Sequence, residues 1–122
     1  MRFLRRTRAR FDVVFEDVFM GDRRRPCKPP GFPLPALDHV RRILRPGGIA
    51  ICNTLAEACE VRELLAARFA RLVRVEIRTY ANQIFVASDG PLGAAELRCA
   101  VARDPVLGPS LAALSFRAVR AR

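Results

Sequence analysis

The chain has 122 residues, 51% of them hydrophobic and 28% charged, and a net charge of +10. That length suffices for one small domain, and the balance excludes a disordered or low-complexity chain. No apolar run approaches the roughly 18 residues of a membrane span, and the Arg-rich opening lacks the apolar core of a secretory signal. A cytoplasmic protein with no membrane partner is expected.

The positive charge comes almost wholly from arginine, with Lys28 the sole lysine. With few aromatic residues to interleave, and with the arginines dispersed, this footprint argues against nucleic acid as partner. Cys27, Cys52, Cys59 and Cys99 form no C-x-x-C pair and His39 is the only histidine, so no metal site is expected. Cys52 and Cys59 read as small hydrophobes in a reducing compartment.

In chain order, residues 2–10 read as the tail of a helix. Phe11–Phe15 is a nearly unbroken apolar run, the pattern of a strand covered on both faces. Residues 20–35 form a loop, because Gly21, Gly31 and five prolines exclude regular structure. A helix is predicted over about Leu34–Leu44 and stopped by Pro46-Gly47-Gly48, followed by a buried strand over Gly48–Asn53. Thr54-Leu55-Ala56-Glu57 has the capping-box pattern, and Ala58, Val61, Leu65 and Phe69 then repeat at helical spacing.

The period then changes. Val73, Val75 and Ile77 alternate with charged residues, as in a half-exposed strand near a sheet edge. Asn82–Ser88 is a further apolar strand, too close to its predecessor for a helical crossover, so this last pair is expected to be antiparallel. A helix over about Gly93–Arg103 and a weakly patterned tail complete an alternating α/β layout.

Three segments together resemble the spermidine-synthase-like family of the class I S-adenosylmethionine-dependent methyltransferase superfamily. Phe11-Asp12-Val13-Val14-Phe15-Glu16-Asp17-Val18-Phe19-Met20-Gly21-Asp22 is similar to its fourth strand, "YDVIxxDxFxGD". Leu44-Arg45-Pro46-Gly47-Gly48-Ile49-Ala50-Ile51-Cys52-Asn53 resembles the fifth, "LxPGGxxxxN", and Asn82–Ala87 the last. The match runs from residue 3 to 89. It implies residues 1–89 as the C-terminal half of a Rossmann-like, methyltransferase-type layered sheet, strands four to seven with the last antiparallel. Residues 90–122 then form a C-terminal helix and tail.

The resemblance implies that strands one to three, with the glycine turn and acids that grip S-adenosylmethionine or its decarboxylated form, lie upstream of this sequence. No G-x-G motif occurs in the 122 residues. The chain alone is therefore expected to bind no nucleoside cofactor. It also implies a small-molecule amine or methyl acceptor as substrate.

Asp17 stands where the family has the acid that positions and deprotonates the attacking amine. From the residues alone it is either that acid at a strand's carboxyl end or a carboxylate capping a turn. The family's aminopropyl transferases carry "DxxDP" here, whereas this chain has Met20 at the second acid's position and Asp22 two residues later. That departure points to the wider family. Asp22 and Asn53 are further candidates for lining the substrate pocket, Asp22 alternatively serving the loop and Asn53 a helix cap. Glu16 is expected to point opposite to Asp17. Two functional classes follow. One is a transferase fragment, inactive alone. The other is a non-catalytic module whose bare first strand drives self-association or pairing with a complementary chain.

Overall fold

A computed structural model describes residues 2–21 and 26–119. Its centre is one five-stranded mixed sheet in the order β1-β2-β4-β3-β5, giving a mixed α/β fold. The strands are β1 (Phe11–Glu16), β2 (Leu44–Thr54), β3 (Arg71–Ile77), β4 (Gln83–Ser88) and β5 (Leu114–Val119). The helices are α1 (Arg2–Arg6), α2 (Ala36–Ile43), α3 (Ala58–Ala66) and α4 (Ala94–Arg103), with a 3-10 turn at Gly108–Ala113 before β5. β1 and β2 are parallel, joined through α2. β4 is antiparallel to both its neighbours, as the short connection between β3 and β4 requires.

The main core cluster lies on one face of the sheet, beneath α2 and α3, with Val73 and Val86 buried on the other. Leu37 and Val40 from α2 and Val61 and Leu65 from α3 pack with Ala50 and Cys52 from β2, and with Phe85 and Ala87 from β4. The helical spacing of Ala58, Val61, Leu65 and Phe69 lands on this core.

Several elements depart from their sequence expectation. β2 begins at Leu44, directly after α2, so Pro46-Gly47-Gly48 lies within the strand rather than ahead of it. Phe11 pairs with Leu44 but Val13 with Ile49, so residues 45–48 loop out of the ladder. Gly47 makes that loop at φ +75°, where a side chain would be strained. Thr54 does not cap α3. Its hydroxyl donates to the Gln83 carbonyl across the sheet at 2.6 Å, while Glu57 precedes the helix and accepts from the Leu55 amide. A cross-strand acceptor was available, and it displaced the local capping box.

The tail is better ordered than its pattern suggests. β5 pairs antiparallel with β3 and takes the sheet edge, so β3 is flanked on both sides. At the opposite end, among the described residues, β1 pairs with β2 alone. Val13 is 52% exposed and Phe15 59%, so the expectation of a strand covered on both faces fails there. The uncovered residues share a face with half-buried Ile49 and Ile51, their register partners on β2. Among the described residues, no helix is long and apolar enough to cross a membrane.

Candidate functional site

Adjacent residues at the carboxyl end of β1 meet opposite fates. The pleat sends Glu16 inward and leaves Asp17 exposed at the strand's mouth, as expected from the alternation. β2 runs parallel to β1, so its own carboxyl end brings Asn53 alongside. The Asn53 side-chain amide donates to Asp17 Oδ1 at 2.8 Å, and Asn82 Nδ2 donates to Asn53 Oδ1 at 3.0 Å. Asp17, Asn53 and Asn82 thus form one polar chain across three segments. The hydrogen bond from Asn53 orients the Asp17 carboxylate and leaves its second oxygen clear of these two amides.

Beneath this chain lies an ion pair that sequence reasoning missed. Lys28 Nζ donates to both Glu16 carboxylate oxygens at 2.8 Å and to the Asn53 carbonyl at 2.7 Å. Its ammonium lies 3.9 Å from the Phe19 ring centroid. The two charged side chains are only 5% and 7% exposed. Glu16 also accepts the Val18 amide at 2.9 Å. Lys28 therefore binds the loop after β1 to the ends of both parallel strands, under the residues that present Asp17. Its one sequence signal was its identity, a lone lysine in a chain otherwise using arginine. An ammonium is a compact donor that fits between a carboxylate and a carbonyl where a planar guanidinium would not.

Cys52 lies on β2 opposite Glu16. Burial, and then the Glu16 carboxylate, push its thiol up to about 12, with Lys28 pulling the other way. It is a protonated core residue and no nucleophile. Cys27, Cys59 and Cys99 are exposed, so the apolar role expected for Cys59 does not hold. His39 is half-buried on α2, remote in sequence and element from this cluster. Asp22 lies outside the described residues. No cluster able to hold a metal ion occurs among the described residues.

A cleft of about 340 Å³ opens beside Asn53 and Asn82, walled by Val75, Ile77, Ile84 and Leu114, with Tyr80 and Glu76 at its margin. It places an apolar surface next to the polar chain, the combination typical of small-molecule sites. Gly47 and Gly48 precede the regular run of β2, at the end away from Asn53. No family model, curated protein or solved structure matches the chain.

Proposed function

We propose that these residues are the acceptor-side half of a spermidine-synthase-like transferase, of the aminopropyl or methyl type, acting in the cytoplasm. The observation that carries this reading is the 2.8 Å contact between Asp17 and Asn53 at neighbouring carboxyl strand ends. Ligands of open α/β sheets gather at such ends. The antiparallel β4 is compatible with a methyltransferase-type sheet, and the resemblance of Phe11–Asp22 and Leu44–Asn53 supports that family. Asp17 attracts a cationic amine and accepts its proton as the nitrogen attacks. Asn53 holds the carboxylate in place, and Asp22, by resemblance, belongs to the same loop.

The sequence holds no G-x-G turn, which favours a nucleoside cofactor gripped by residues other than these. On this reading the chain alone binds no nucleoside cofactor. Calorimetric titration with S-adenosylmethionine and its decarboxylated form tests that assignment. Micromolar binding by the isolated chain would overturn it. In a longer chain or complex with transfer activity, Asp17→Asn should lower kcat by about 100-fold or more while cofactor affinity holds. Equal loss of both would remove the general-base role.

The exposure of Val13 and Phe15 on the unpaired edge favours a second reading, in which β1 is a contact surface and the chain a non-catalytic module.

A further inference from the structure

We propose that the carboxyl end of β3 holds a site for a small phosphate monoester, bound as a dianion by Arg78 and Arg117. The site is separate from Asp17 and stands independently of the transferase reading.

Strand register creates the need for a negative charge. Arg74 lies directly opposite Arg117 across the antiparallel β3–β5 pair, and opposite residues share a face. Like charges opposed in this way are destabilising. Glu76, two residues along the same face, answers only one of them. Arg74 Nε lies 3.4 Å from Glu76 Oε1, and Ser115 Oγ donates to Oε2 at 3.4 Å. The Arg74 Nε is buried and makes no hydrogen bond, so among the described residues Glu76 is its one compensating group.

Beside this pair opens a cavity of about 560 Å³, lined by Glu76, Ile77, Arg78, Tyr80, Ser115 and Arg117. Neither Arg78 nor Arg117 forms an ion pair among the described residues. With Glu76 committed to Arg74, the cavity therefore keeps two uncompensated guanidinium groups. Arg78 is already set in place. Its amide donates to the Ala113 carbonyl at 3.3 Å and its guanidinium to the Ala112 carbonyl at 3.2 Å. A donor fixed beforehand loses less freedom when a ligand arrives.

β3 runs parallel to β2, since both are antiparallel to β4. Arg78 therefore stands at the same end of the sheet as Asn53, the end where open α/β sheets gather ligands.

Two free guanidinium groups call for two negative charges, and their forked donors match phosphate oxygens. A phosphate monoester carries about −1.5 to −2 at neutral pH, whereas a sulfate ester carries a single charge. The remaining volume takes the ester's organic group, against Ile77 and Tyr80. One concave site with a carboxylate in its wall suits a single phosphate. A nucleic acid strand needs a continuous basic groove instead.

Phenyl phosphate titrated into the isotopically labelled chain should shift the Arg78, Ser115 and Arg117 amide signals in nuclear magnetic resonance, and saturate. Phenyl sulfate, the same body with one charge, should bind about fivefold more weakly or worse. Arg117→Gln should weaken phenyl phosphate about tenfold, because charge-assisted bonds are lost. Its circular dichroism spectrum should not change, since Arg117 is exposed. Arg5→Gln removes the same charge from α1, which packs on α2, and should leave the affinity as it was. Equal losses in Arg117→Gln and Arg5→Gln would reduce the attraction to net charge and overturn the proposal. So would equal affinity for phenyl sulfate, tighter binding of a short single-stranded RNA at the same amides, or no saturable shift with phenyl phosphate.

Discussion

The two ends of the sheet solve the edge problem differently. β5 has Arg117 exposed and helical segments packed on it, so its unpaired groups are guarded. β1 carries Val13 and Phe15 into solvent with only Asp12 between Phe11 and the valines. The same contrast runs through the thickness of the sheet. Beneath α2 and α3, Phe85 and Leu65 are fully buried, while over β1 the opposite face is open. An apolar strand can therefore be covered or left open by its own chain, and apolar content alone does not say which.

The sharpest way to test the contrast is to remove a large side chain from each side. Phe85→Ala should cost about 3–5 kcal/mol in urea unfolding, because a fully buried ring leaves a cavity. Lys28→Met should cost roughly 3 kcal/mol, since it strands the Glu16 carboxylate in a buried site. A cost near zero would mean that Glu16 reaches water and that the β1 end is looser than its burial indicates.

Alkaline titration gives a smaller effect. The Cys52 thiol is raised from 9.0 to about 12 in the folded chain. Its contribution is complete below the unfolded value and is lost as pH climbs toward the folded one. Stability should fall by roughly 2 kcal/mol between about pH 8 and 10.5 from this group. Cys52→Ala should flatten that slope, and an unchanged slope would assign it to other groups.

Smallest of all, Phe15→Lys should change the stability of the chain by about 0.5 kcal/mol or less. A loss comparable to that of Phe85→Ala would mean that something in the same chain covers the open face.

Much of this layout was legible in the sequence where a periodicity had only one partner to satisfy. Val61, Leu65 and Phe69 reach the core because one face of α3 meets one sheet. The antiparallel β3–β4 pair follows from a connection too short for anything else. What misled were residues with two partners to choose from. Thr54 carried a sound capping pattern, yet the Gln83 carbonyl won its hydroxyl. Phe11–Phe15 read as doubly covered because an apolar run records what a strand can bury, not what lies beside it. β5 was overlooked although Leu114, Phe116 and Ala118 alternate with Ser115 and Arg117, because so short a run carries little weight until β3 is there to pair with it.

At the candidate site, Asp17 and Asn53 were legible from strand ends, and the structure brings them together. Asn82 and the Lys28–Glu16 pair were not, because they depend on a loop folding back across strands that lie far apart in sequence.

The lone lysine has a practical consequence. Amine-directed acylation of this chain has one side-chain target, and that nitrogen is tied to a carboxylate and a carbonyl. Its labelling rate therefore counts how often the loop lets go of the strand ends, and the chain contains its own probe of opening. Slow acylation of Lys28 that accelerates in Glu16→Gln would time that motion without any added label.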